Sequence, residues 1–149
     1  MIFASGNGTN AQRIIEFFQD RTDAQVVQVL SNNPRAKVLE RASALDVAAF
    51  SFNRKAFYKG DDVLHLLKAT QPDVIILAGF LWLFPEKIIS AFPDKVINIH
   101  PALLPDFGGK GMYGMNVHEA VYAFAKAQHN KNPSQKIYTG ITIHKVTPE

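Results

Sequence analysis

The run Val74-Ile75-Ile76-Leu77-Ala78-Gly79 is apolar at every position. A strand with one wet face alternates polar and apolar residues. A run without that alternation is buried on both faces, as in a parallel sheet covered by helices. The rest of the chain supplies what such a sheet needs. Short strands are expected at 2–4, 26–31, 47–52 and 96–100, and residues 137–146 alternate like a half-exposed strand. Helices are expected at 11–20, from Asn33-Pro34 onward, and at 61–70, 85–91 and 115–128. The first would turn Ile14, Ile15, Phe17 and Phe18 inward. The second would use Ala36, Leu39, Ala42 and Ala44, with proline in its first turn. The third would use Val63, Leu64, Leu66 and Leu67. Strictly alternating strands and helices predict a doubly wound α/β fold with a mostly parallel sheet, as a single domain over 1–149.

Composition narrows the chemistry. There is no cysteine, which excludes disulfides, thiolate zinc sites, iron–sulfur clusters and cysteine nucleophiles. The formal net charge of +3 is mild and scattered, so nucleic acid is not expected and a small anionic ligand suffices to explain it. No stretch approaches the roughly 18 apolar residues of a membrane span. Met1 leads almost directly into Ile2-Phe3-Ala4-Ser5-Gly6, without the basic and apolar regions of a signal peptide. The expectation is a soluble cytoplasmic protein.

Open α/β sheets bind ligands beyond the carboxyl ends of their strands, and three segments fall there. Ser5-Gly6-Asn7-Gly8-Thr9-Asn10 joins the first strand to the first helix. Its glycines allow a tight turn, and the amides of Gly8, Thr9 and Asn10 would face an anion from a helix start. The pattern is not GxxxxGK[ST], and Ala11 stands where GxGxxG needs its third glycine, so a single phosphate is the better fit. The alternative is an ordinary strand–helix turn capped by Thr9 or Asn10. Asn98-Ile99-His100-Pro101 closes a strand, and residues two apart share a strand face. An amide beside an imidazole can polarise a carbonyl, stabilise an oxyanion and pass a proton to a leaving amine. The alternative is a hydrogen-bonded asparagine and a satisfied, semi-buried histidine. Phe80-Leu81-Trp82-Leu83-Phe84 puts large apolar residues where a loop is usually polar. They either wall a pocket for a flat ligand or pack as core. His118 and His144 are weaker candidates, and His65 and His129 read as surface residues. No HExxH and no metal-ligand spacing occurs, so no metal is expected.

Taken together, SGNGTN near the start, LAGF at Leu77–Phe80, NIHPALLP at Asn98–Pro105 and GGKGMYGMNVHEAV at Gly108–Val121 resemble the glycinamide ribonucleotide formyltransferase family of purine biosynthesis. The resemblance runs through essentially the whole chain and implies a Rossmann-like formyltransferase fold. It implies transfer of the formyl group of 10-formyltetrahydrofolate, the co-substrate, to the glycinamide amine. It further implies that Gly8, Thr9 and Asn10 hold the substrate phosphate and that Arg54, Leu81, Trp82, Leu83, Phe84 and Asn98 form the folate site. Asn98 and His100 would be catalytic: the amine attacks directly, both side chains stabilise the tetrahedral intermediate, and His100 serves as acid. A cis Leu104–Pro105 peptide is also implied.

The family's catalytic aspartate and last elements would fall beyond Glu149, so the expectation is a domain incomplete at its carboxyl end and less stable than a full-length relative. Partners are expected to be the two small molecules, with no nucleic acid and no membrane, for a monomer or homodimer. Two alternatives stand beside this reading. One is a related formyl-folate transferase or hydrolase. The other is a non-catalytic phosphate- or nucleotide-binding fragment.

Overall fold

The computed structural model describes residues 1–109 and 111–148. Strand and helix alternate as the periodicity predicts: β1 (Ile2–Phe3), α1 (Thr9–Gln19), β2 (Gln28–Ser31), α2 (Lys37–Ala44), β3 (Ala48–Ser51), α3 (Asp62–Thr70), β4 (Ile75–Ala78), α4 (Glu86–Ala91), β5 (Val96–His100), α5 (Met115–Lys131) and β6 (Thr142–Lys145). The six strands form one mostly parallel sheet in the order β3-β2-β1-β4-β5-β6. This is the doubly wound arrangement expected from the sequence.

β1 lies between β2 and β4 and runs parallel to both, with Ile2 level with Val29 and Ile76. A strand flanked on both sides and covered on both faces must be apolar throughout. Ile2 and Phe3 are fully buried. From β1 the chain winds outward to β2 and β3, then returns to place β4 on the opposite side. The strand order therefore reverses between β1 and β4. The loops leaving their carboxyl ends border the switch-point crevice, where such sheets bind ligands.

The chain divides into two compact units, Met1–Asn98 with the segment from Lys145 on, and Ile99–His144. The first holds the main core. Phe3 makes edge-on contacts with Phe52, Phe80 and Phe84 at centroid distances of 5.8, 5.5 and 5.1 Å. Edge-to-face pairs add to simple area burial because the ring edge is positive and the face negative. Phe57 is the most enclosed ring besides Phe3. It sits on a π-helical turn, Lys55–Lys59, that periodicity does not predict. The Gly60 amide donates to the Lys55 carbonyl at 2.7 Å and closes that turn.

In the second unit, Val117 of α5 is fully buried and Phe107 meets Phe124 edge-on at 5.6 Å. The Thr142 hydroxyl donates to the Ala102 carbonyl at 2.8 Å and accepts from the Leu104 amide at 3.1 Å. This ties the Pro-rich loop to β6. The Leu104–Pro105 peptide is cis, as the resemblance implied.

Four local expectations are corrected. On α1 Ile15 is buried and Ile14 and Phe18 are half-buried, but Phe17 points outward at 61% exposure. Pro34 is not in a helical first turn. The Ala36 amide donates to the Asn33 carbonyl at 3.1 Å and the Arg35 amide to Asn33 Oδ1 at 3.0 Å, so Pro34 occupies the second position of a β-turn, where its fixed φ is favoured. On α2 the buried residues are Val38 and Ala42, while Ala44 is exposed. Residues 137–141 are irregular and only Thr142–Lys145 is strand. A Cβ at Gly140 would approach Leu103 Cδ2 to 2.9 Å, so that segment is shaped by its packing on the loop and not by a sheet ladder.

Candidate substrate-binding and catalytic residues

The loop between β1 and α1 is shaped by glycine. Gly8 is the N-cap of α1 and has φ +75°, in the left-handed region. A Cβ there would lie 2.3 Å from Val38 Cγ2 and 2.8 Å from Val38 Cα. Only glycine fits between the loop and α2. No side chain caps the helix, which answers the alternative of a Thr9 or Asn10 cap. The first amides of a helix have no partner within it, and Thr9 and Asn10 are exposed there. Such a helix start suits an anion.

Residues that the sequence reading did not select hold this loop from α2. The Val38 amide donates to the Gly6 carbonyl at 3.1 Å. Arg41, one turn further along the same helix, donates through Nε to the Asn7 carbonyl at 2.8 Å and through Nη2 to Asn7 Oδ1 at 3.0 Å. Its Nη1 reaches Gln12 Oε1 on α1. The three-residue spacing from Val38 is the signal that could have found Arg41; the sequence reading chose Ala36 and Ala42, both buried, but passed over Val38. Ser5 fastens the loop on its other side. Its amide donates to the Gly79 carbonyl at 3.1 Å, and its Oγ accepts from the Leu81 amide at 2.8 Å.

A cleft of about 580 Å³ opens at the carboxyl ends of β2 and β3, lined among others by Asn32, Phe50, Phe52, Arg54 and Trp82. The Arg54 guanidinium lies over the Tyr58 and Trp82 rings, 5.2 and 5.5 Å from their centroids. A cation over an aromatic face is attracted by the ring quadrupole. The Tyr58 hydroxyl donates to the Leu83 carbonyl at 2.8 Å and pins the apolar segment. Partial burial pushes the Tyr58 phenol up, opposed by the nearby Arg54 charge. The two readings of Leu81–Phe84 divide by residue. Phe84 is core, at 4% exposure. Trp82 is half-buried in the cleft wall. Leu81 and Leu83 are exposed. Asn32 Oδ1 is buried without a hydrogen-bond partner among the described residues, so the cleft keeps an unused acceptor beside its aromatic wall.

In the second unit His100 is 8% exposed, and its Nε2 lies 2.8 Å from the Phe107 carbonyl. A carbonyl only accepts, so Nε2 carries the hydrogen, and in the neutral ring Nδ1 is the acceptor. Asn98 precedes it by two residues on β5 and is half-buried. His65, His118 and His129 are exposed, while His144 is half-buried on the same alternation as Thr142. No group of three or more His, Cys, Asp or Glu that could hold a metal ion occurs among the described residues. No helix among them is long and apolar enough to cross a membrane.

The formyl transferase family profile matches residues 1–149. The chain belongs to the formyl transferase family. Within that family it is similar to a phosphoribosylglycinamide formyltransferase of Arabidopsis thaliana chloroplasts, 34% identical over 154 residues that take in 99% of this chain and 49% of the relative. The Bacillus subtilis enzyme of the same name is 36% identical over 72% of this chain and 58% of its own length. The solved phosphoribosylglycinamide formyltransferase of Brucella melitensis superposes with a TM-score of 0.80 at 32% identity, covering 98% of this chain and 71% of that one. The chain spans about half the length of the first curated relatives it matches.

Proposed function

We propose that this chain transfers a formyl group from 10-formyltetrahydrofolate to the amine of glycinamide ribonucleotide in purine biosynthesis, in the cytoplasm. The observation that carries the reading is the Gly8 turn. It is a helix start with no side-chain cap, closed to any residue with a Cβ, in a member of a family whose similar relatives are named for a phosphorylated ribosyl substrate. Gly8, Thr9 and Asn10 offer amides to a phosphate. The cleft suits a flat heteroaromatic acid: Trp82 gives it an aromatic face, and Arg54 a cation for a carboxylate. Leu81, Leu83 and Phe84 complete that segment, with Phe84 acting from the core.

The folate co-substrate supplies the formyl carbon. The chain supplies orientation and proton handling. The Asn98 amide is suited to holding the formyl oxygen as negative charge develops on it, where a fixed N–H donor contributes most. As the new C–N bond forms and the formyl carbon's bond to the folate nitrogen breaks, His100 takes the proton from the attacking amine and passes it to the departing folate nitrogen. Its Nε2–H is held by the Phe107 carbonyl, so Nδ1 is the nitrogen that exchanges a proton with a substrate, or else the Phe107 bond must open.

The test is formyl transfer by the folded chain, with His100→Ala as control. Turnover that disappears in the control supports the reading. A folded chain that binds both ligands without turnover would instead favour a non-catalytic binding role. A panel of other formyl acceptors separates the related transferases and hydrolases.

A further inference from the structure

We infer that Arg41 is a positioning residue for the substrate phosphate, acting through the loop that α2 braces. This rests on the proposed phosphate role of Gly8, Thr9 and Asn10 and adds to it a residue from a different element. The guanidinium uses all three of its nitrogens on the loop and the helix start. Nε and Nη2 take the backbone carbonyl and the side-chain oxygen of Asn7, and Nη1 takes Gln12 Oε1. Arg41 thus bridges the residue before the N-cap and the first turn of α1, spanning the segment whose amides would meet the phosphate. The fork is planar and rigid, so it fixes the Asn7 peptide in one orientation.

The charge is the second part of the argument. All three acceptors of Arg41 are neutral. Among the described residues no carboxylate comes within ion-pair distance of it. The nearest link to one is indirect: Gln12 Nε2 donates to Glu16 Oε1 at 2.7 Å, and Glu16 is paired with Arg13. A half-buried cation held by neutral acceptors beside an uncapped helix start keeps its positive potential for an anion. Were the residue there only to brace the loop, a neutral donor could do the same.

The experiment is calorimetric titration of the full chain with glycinamide ribonucleotide and, separately, with folate, for wild type, Arg41→Gln and Arg41→Lys. Arg41→Gln is expected to weaken ribonucleotide binding about tenfold, since charge-assisted contacts are the strong ones. Folate affinity should not change. Arg41→Lys keeps the charge and loses the fork, so it should recover part of the loss, to about threefold. The salt dependence of ribonucleotide binding should flatten in Arg41→Gln alone. Unchanged ribonucleotide affinity in Arg41→Gln would overturn the inference while leaving the proposed function in place. So would equal weakening of both ligands with a lowered Tm, which would mark Arg41 as merely structural. Failure of the wild type to bind the ribonucleotide would overturn both.

Discussion

Replacing Gly8 by alanine tests whether the loop is held by steric fit. Two costs act together. The position has φ +75°, and an L-residue in the left-handed region costs about 1–2 kcal/mol. The added methyl would also lie 2.3 Å from Val38 Cγ2, 2.4 Å from Val38 Cβ and 2.8 Å from Val38 Cα. Val38 is fully buried and its backbone is tied to the Gly6 carbonyl, so neither side can yield without moving α2. Overpacking of this kind costs a further 1–3 kcal/mol or so. The sum is about 2–5 kcal/mol, a large share of the roughly 5–15 kcal/mol that holds a domain together. Urea unfolding followed by circular dichroism would read it as a fall in midpoint at unchanged slope. Val38→Ala removes the Cγ2 contact and leaves the two others. The double variant should therefore be less destabilised than the sum of the singles, by about 1 kcal/mol. A Gly8→Ala loss below about 1 kcal/mol, or strict additivity with Val38→Ala, would refute the claim that α2 leaves no room for a side chain at this turn.

Phe57→Ala should cost about 3–5 kcal/mol by urea unfolding, because it empties the middle of the aromatic cluster; a loss under about 1.5 kcal/mol would mean that the neighbouring rings collapse into the space. Trp82 is the sole tryptophan of the chain, so its fluorescence reports the cleft. Folate should quench it, and Arg54→Ala should weaken that titration about tenfold while changing stability by less than about 1 kcal/mol. The Asp61 carboxyl is held below its ordinary value, first by its hydrogen bond with Lys87 and then by the Lys87 charge. A depressed carboxylate stabilises the fold above its unfolded pKa of about 4 and loses that contribution as pH falls through the folded value. The stability difference between wild type and Lys87→Met should therefore shrink on acidification below about pH 4, and a difference that grew there would contradict the assignment.

The architecture was legible because burial on both faces leaves a mark that needs no context. Ile75–Ala78 announces a covered parallel sheet, although Val74 ahead of it lies outside the strand and is 42% exposed, and the alternation around it gives the winding. Helix α2 was harder. Lys37–Ala44 contains apolar residues on more than one side, and what decides its orientation is Val38 fitting beneath Gly8, a contact between elements that periodicity does not encode. Arg41 was missed with it, since its partners are a backbone carbonyl, an asparagine and a glutamine far away in sequence. The π-helical turn at Lys55–Lys59 has no period to detect. Residues 137–141 alternate like a strand, yet lie against Leu103 instead of continuing the ladder. For the proposed site, residue type and place were readable for Gly8 at the turn into α1 and for Asn98 and His100 at the end of β5. The fates of Leu81 to Phe84 were not, because four neighbouring apolar residues differ only in which way the loop turns each one.

Ser5 lies two residues beyond Phe3, where the buried central strand ends, and its two hydrogen bonds join the glycine loop to Gly79–Leu81. On the proposed reading those segments grip opposite ends of a two-substrate encounter, one the nucleotide and the other the formyl donor. A single buried hydroxyl thus acts as a ruler. It sets how far apart the two grips stand before either ligand arrives, and removes a degree of freedom that the encounter would otherwise have to freeze. A formyl transferase of this kind would tolerate variation in what each loop touches far better than variation in the rigid spacer between them.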